Sequence, residues 1–171
     1  MQKQEEHQHR NKWFFGFQFC LRLLSIGATL AASYLILTSK QITTIFGIVA
    51  DARYSYSTAF RFFAYANIVA CALSLLCFLF LLIGPKPPNV KKCFVMFLHD
   101  LIVTILLMGA CGAAAAIGYV GKYGESHIGW AAICDNFSKF CNRVILSLVF
   151  SFLALIFYLF LTITSANKSR G

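Results

Sequence analysis

Arg22 and Asp100 each stand inside a run otherwise apolar enough to cross a bilayer, FQFCLRLLSIGATLAASYLIL and FLHDLIVTILLMGACGAAAAIG. A charged side chain at the centre of a span costs about 2.5 to 3.5 kcal/mol on insertion scales, and two opposite charges at one depth offset much of that by pairing. Each residue lies a few positions inside its run, roughly 5 to 10 Å deep at about 1.5 Å per helical residue. If both helices start from the same face of the membrane, the two side chains are level. The expected chemistry is an intramembrane ion pair that fastens two helices. The competing assignment has Arg22 snorkelling to the head groups while Asp100 is solvated or protonated near the interface. A proton or ion site in a small channel or transporter subunit is the functional alternative. It calls for further ionisable or unwound positions in mid-membrane, and the sequence offers none.

Other reactive residue types carry less. His127, Cys134 and Asp135 supply the groups of a cysteine triad, yet three such residues in one short loop without a surrounding signature read as coincidence. The glycines at 118, 121 and 124 do not form a dinucleotide fingerprint, and neither a phosphate loop nor an HExxH motif occurs. No catalytic residue, metal ligand or cofactor is therefore expected. Cys134 and Cys141 share the segment CDNFSKFC and are expected to form a disulfide if that loop faces an oxidising compartment, the other choices being free thiols or links to other chains. Cys93, beside Lys91 and Lys92, is a candidate S-acylation site. Cys20, Cys71, Cys77 and Cys111 read as small apolar fillers within spans. Asn136-Phe137-Ser138 matches the glycosylation acceptor pattern, although it sits inside the bridged loop and close to a span.

The elements that position these residues follow from hydropathy. Of 171 residues, 59% are hydrophobic and 12% charged, which places the chain among membrane proteins. Four stretches approach the roughly 20 residues a spanning helix needs, at 17–37, 62–83, 97–118 and 144–164. The expected fold is an all-α, four-helix membrane bundle, one four-span domain over 14–166. Eight of the 15 Lys and Arg residues lie in the tail 1–16, the connection 84–96 and the tail 165–171, so these are expected in the cytoplasm, with loops 38–61 and 119–143 outside although Lys40, Arg53, Arg61, Lys122, Lys139 and Arg143 fall there. That distribution argues against nucleic acid as a partner. The first run exceeds a signal-peptide core and is read as an uncleaved span. Gly84-Pro85-Lys86-Pro87-Pro88 is expected to separate the second and third spans sharply.

Helical spacing then orders the side chains. Gln18, Arg22, Ser25, Thr29 and Ser33 recur every three or four residues and form one stripe. In the third span Asp100, Thr104, Cys111 and Gly118 fall near one face. Ala110, Ala114 and Gly118 form a strip of small residues suited to close helix packing, within the chain or between chains.

Taken together, these residues resemble the plant Casparian strip membrane domain protein-like family, four-span proteins akin to the MARVEL domain. The resemblance covers nearly the whole chain after the amino tail and rests on FCLRLLSIGATLAA, AFRFFAYANIVACALSLL, LHDLIVTILLMGACGAAAAIGYVGKYGESHIGW and ICDNFSKFC. Arg22, Asp100, Trp130, Cys134 and Cys141 match together. It implies a plasma-membrane location, cytoplasmic termini and homo-oligomers, from homodimers upward, or hetero-oligomers with family members. Founding members build immobile membrane platforms that guide local lignin deposition, which suggests extracellular cell-wall enzymes as partners. The first outer loop, TSKQITTIFGIVADARYSYSTAF, departs from the signature of those founders. The expected function is a non-enzymatic membrane-domain scaffold, with Trp130 and Phe137 on a recognition surface of the second outer loop.

Overall fold

The computed structural model describes residues 2–45, 47–83, 90–127 and 129–170, and among these the side chains of 2–15, 45, 90–92 and 168–170 are not described. The proline turn at 84–88, and the side chains of the basic residues Lys3, Arg10, Lys12, Lys86, Lys91, Lys92, Lys168 and Arg170, lie outside what is described.

Four long helices make up the chain: α1 (Gln2–Leu37), α2 (Thr58–Ile83), α3 (Val90–Tyr123) and α4 (Ser138–Arg170). Each contains a segment long and apolar enough to cross a membrane, at Gly16–Leu37, Thr58–Ile83, Cys93–Tyr123 and Ser138–Asn167. Every helix packs against two others, α1 on α2 and α4, and α3 on α2 and α4, so that α1 faces α3 across a diagonal. The inward faces follow the helical period. On α1 the buried positions are Gln18, Leu21, Arg22, Ser25, Ala28, Thr29, Ala32, Ser33 and Ile36, a three-and-four spacing that wraps one side of the cylinder. The outward positions, such as Leu24, Leu30, Phe80, Ile105 and Leu146, are apolar and exposed, as lipid-facing positions must be.

The segment 38–61, expected only as a loop, contains an antiparallel hairpin, β1 (Lys40–Ile45) paired with β2 (Ile48–Arg53) from Lys40↔Arg53 to Ile45↔Ile48. β-Branched Ile42, Thr43, Thr44, Ile48 and Val49 suit extended backbone. Gly47 has φ +82°, which a two-residue hairpin turn requires and glycine adopts without a Cβ clash.

The hairpin does not stand apart from the bundle. The amide of Phe140, in the first turn of α4, donates to Gln41 Oε1 at 2.9 Å, satisfying one of the orphan donors every helix start presents. Arg143 Nη1 donates to the Thr38 carbonyl at 2.8 Å, just beyond the end of α1. The end of α3 is closed similarly: the Gly121 carbonyl accepts from the amides of Ile133 and Cys134 at 2.8 and 3.1 Å. Gly124 then turns the chain with φ +71°, the left-handed cap that commonly ends a helix. A Cβ on Gly124 would lie 2.7 Å from the Trp130 carbonyl oxygen. Gly124→Ala is therefore expected to cost about 1 to 2 kcal/mol from the left-handed backbone, with the clash added. A drop in thermal stability confined to this end, read as faster amide exchange at residues 121–134, checks it.

Candidate functional site

The polar residues of the spans converge inside the bundle. Arg22 Nη2 donates to Asp100 Oδ2 at 2.8 Å, and the two side chains are 1% and 0% exposed. They reach across the diagonal from α1 to α3. His99, the residue before Asp100 on α3, places Nδ1 3.0 Å from the other oxygen, Asp100 Oδ1. Arg22 Nε and Nη1 and His99 Nε2 are buried without hydrogen-bond partners among the described residues.

Around the pair the other helices contribute smaller groups. Gln18 Nε2 donates to Ser165 Oγ at 3.3 Å, joining α1 to α4. The Ser74 and Tyr158 hydroxyls meet across the second diagonal, α2 to α4. Further along, Ser151 Oγ donates to Asn67 Oδ1 at 2.9 Å and receives Cys111 Sγ at 3.2 Å, while Ser147 Oγ donates to the Ala32 carbonyl at 2.7 Å. Where no bonding partner lies opposite, hydroxyls turn back on their own helix: Ser25, Thr29 and Ser33 bond carbonyls one turn earlier. In a dry interior each unmet polar group would cost several kcal/mol, so this mutual satisfaction selects which helix faces which. Asn67, Ser147, Ser151, Tyr158 and His99 were not singled out from sequence. The polar positions at 147, 151, 158 and 165, spaced by four and seven residues, would have marked the α4 face.

Ala110 and Ala114 are fully buried, packed in the core with Phe60, Phe63, Phe140 and Val144. Gly118 lies at that face's edge, 3.9 Å from Leu148 by its potential Cβ. The strip of small residues thus packs within the chain.

At the opposite end from the termini, Cys134 and Cys141 form a disulfide with Cα atoms 5.7 Å apart. Trp130 is 55% exposed beside it, whereas Phe137, expected with Trp130 on a recognition surface, is 6% exposed and belongs to the core. That expectation is corrected: the bridged turn puts Phe137 on its inner side, where its amide bonds the Ile133 carbonyl and its ring joins the aromatic layer of Phe60 and Phe140. Asn136 is exposed, its carbonyl 3.5 Å from Thr43 Oγ1. Cys93 is a free thiol, half-buried near the start of α3. The structure brings Arg22 to Asp100 and Cys134 to Cys141, and it sets these two groupings at opposite ends of the bundle.

Comparison with known proteins adds to this geometry. The Casparian strip membrane protein domain matches residues 12–157. The chain is similar to CASP-like protein 1F1 of Vitis vinifera, 51% identical over 94% of this chain and 78% of the relative. It is similar also to CASP-like protein 1F1 of Ricinus communis, 49% identical over 93% and 89%, and to CASP-like protein 1F2 of Populus trichocarpa, 51% identical over 92% and 87%. No solved structure matches.

Proposed function

The chain belongs to the Casparian strip membrane protein domain family, and from that membership and the closed interior of its bundle we propose that it is a non-enzymatic scaffold of the plasma membrane. It self-associates, or associates with family members, and holds a patch of membrane to which extracellular cell-wall enzymes are recruited. Both termini face the cytoplasm in this reading, and the hairpin and the bridged loop face outward. Positive charge near the termini favours that orientation. So does the Cys134–Cys141 bridge at the other end, since disulfides persist in oxidising compartments.

The observation that carries the reading is the Arg22–Asp100 contact: two opposite charges closed on each other at 2.8 Å, within a bundle whose neighbouring polar groups bond helix to helix. Such an interior holds spans together and leaves the cap and the lipid-facing surface for assembly. A second reading, a small channel or transporter subunit, is favoured by the unpartnered donors Arg22 Nε and Nη1 at the same level, positions that water or a passing ion would fill.

Two measurements separate them. Photobleaching of the tagged full-length protein in its native membrane is expected to recover many-fold more slowly than a free four-span marker. Purified protein in vesicles is expected to pass no ion or proton current above empty vesicles. Fast recovery together with flux abolished by Asp100→Asn would replace the scaffold with the transport reading.

A further inference from the structure

The hairpin over the bundle consists of β1 and β2 alone, so it has an open edge on either side. Along an antiparallel strand, successive residues aim their N–H and C=O groups alternately at the partner strand and away from it. The turn closes on Ile45 and Ile48, and a two-residue turn bonds its closing pair. Counting back in twos, Ile45, Thr43 and Gln41 bond β2, whereas Thr44, Ile42 and Lys40 aim outward from the edge of β1. Val49, Asp51 and Arg53 do the same on the edge of β2. Among the described residues, no backbone group outside the hairpin bonds any of these positions.

The two edges differ in chemistry. Soluble proteins guard an open edge with a charge, a proline or a bulge in mid-strand. The edge of β2 carries Asp51 at its middle and Arg53 at its end. The edge of β1 has its single charge, Lys40, at the end, and its middle is β-branched Ile42, Thr43 and Thr44, residues that favour pairing. Lys40, Ile42 and Thr44 are all exposed. The unguarded edge is that of β1.

The placement of the sheet decides which partner can reach that edge. Gln41 accepts the amide of Phe140 in the first turn of α4, and such amides point out along the helix axis, so β1 stands over the end of α4. Ala50 and Ala52, on the same face of the ladder as Gln41, pack on the core with Ile36, Phe60 and Phe140. The sheet therefore lies across the helix ends, parallel to the membrane surface. Two copies of one strand paired antiparallel are related by a two-fold axis perpendicular to their sheet. Copies of a membrane protein inserted the same way are related by an axis along the membrane normal. In this fold the two axes coincide.

We propose that a second copy of this chain pairs along the edge of β1, joining the two hairpins in one continuous sheet with Ile42 opposite the partner's Ile42 at the two-fold axis. Lys40 then faces the partner's Thr44, each facing pair exchanges N–H···O bonds, and no like charges meet. The same construction on β2 sets Asp51 against the partner's Asp51, which like-charge repulsion opposes. This contact specifies the self-association proposed above and rests on that reading. It requires only that the copies share an orientation, whichever way the termini face.

The test uses purified full-length protein, two fluorophores on separate copies, at high dilution in phosphatidylcholine vesicles. Energy transfer reports association. Ile42→Pro removes an outward N–H and leaves the hairpin's own bonds in place; with a bond lost on each copy, associated protein should fall at least about tenfold. Ile42→Thr keeps the amide and a β-branched side chain, and should stay within about twofold of the unsubstituted protein. Retention of the Cys134–Cys141 bridge and an unchanged melting temperature establish that each variant is folded. A second measurement leaves the edge amides intact and decides even if Ile42→Pro fails to fold. Ile42→Cys and Val49→Cys, at sites 67% and 70% exposed, are treated with a bismaleimide too short to cross three strand spacings, about 14 Å. Unsubstituted protein sets the background from its own free cysteines. Ile42→Cys should give crosslinked dimer several-fold above Val49→Cys. Crosslinking as strong at Val49→Cys, or transfer unchanged in folded Ile42→Pro, overturns the edge pairing and leaves self-association standing. Absence of transfer in the unsubstituted protein overturns self-association itself, and the edge pairing with it.

Discussion

Asp100→Ala is expected to destabilise the bundle by about 3 to 5 kcal/mol, the usual consequence of removing one partner from a buried ion pair. Arg22 would be left 1% exposed with a charge it cannot move to water, and Nε and Nη1 already lack partners. Arg22→Ala should be the milder change, because Asp100 keeps His99 Nδ1 at 3.0 Å from its second oxygen. The double replacement Arg22→Met with Asp100→Leu removes both charges while keeping much of the volume, and such apolar exchanges of buried pairs are often neutral. It should recover most of the loss of either single variant. Thermal melting in mild detergent, together with plasma-membrane delivery of tagged protein, measures all three. Strong non-additivity is the signature of direct contact. Mild, additive single effects would mean that Arg22 snorkels in the membrane and that the diagonal contact does not hold the bundle.

Loss of the Cys134–Cys141 bridge is the second large effect. By the loop-entropy relation, a ring this short contributes about 2.5 kcal/mol. The bridge joins the loop to the fourth residue of α4 and thereby fixes the inner side of the turn where Phe137 enters the core. Cys134→Ser with Cys141→Ser should therefore loosen Phe137, Phe140 and the hairpin, which reaches α4 through Gln41. Insertion should survive, since spans form on their own backbone bonding and hydrophobicity. The readouts are melting temperature with and without reductant, and modification by a membrane-impermeant maleimide. No label is expected on Cys134 before reduction, and full label afterwards. Ready modification of Cys134 in untreated protein would contradict a closed bridge.

Much of this molecule is determined by the sequence alone, because the bilayer simplifies the physics. A span must be long and apolar and must satisfy its own backbone, so four helices could be read from hydropathy. The stripe Gln18, Arg22, Ser25, Thr29 and Ser33 could be assigned to one face because helical geometry fixes which positions align. Only the tertiary structure decided what those faces meet. That Ala110 and Ala114 pack beneath Phe60 and Phe63 rather than against a second chain depends on the order of helices around the bundle, and small residues permit both. That Ser151 answers Asn67 and Cys111, and Tyr158 answers Ser74, depends on relative rotation and height of helices far apart in sequence. The hairpin at 40–53 was not legible in the sequence because none of the strong two-residue turn signals, such as Asn-Gly or Asp-Gly, occurs between its strands, and its cap on α4 is a contact across 99 positions. Phe137 reversed its expected side for a similar reason. Hydrophobic period assigns faces only where the backbone is regular, and in the short bridged turn the inward direction is set by the disulfide, the Ile133 carbonyl and the aromatic layer beneath, none of which lies in local spacing.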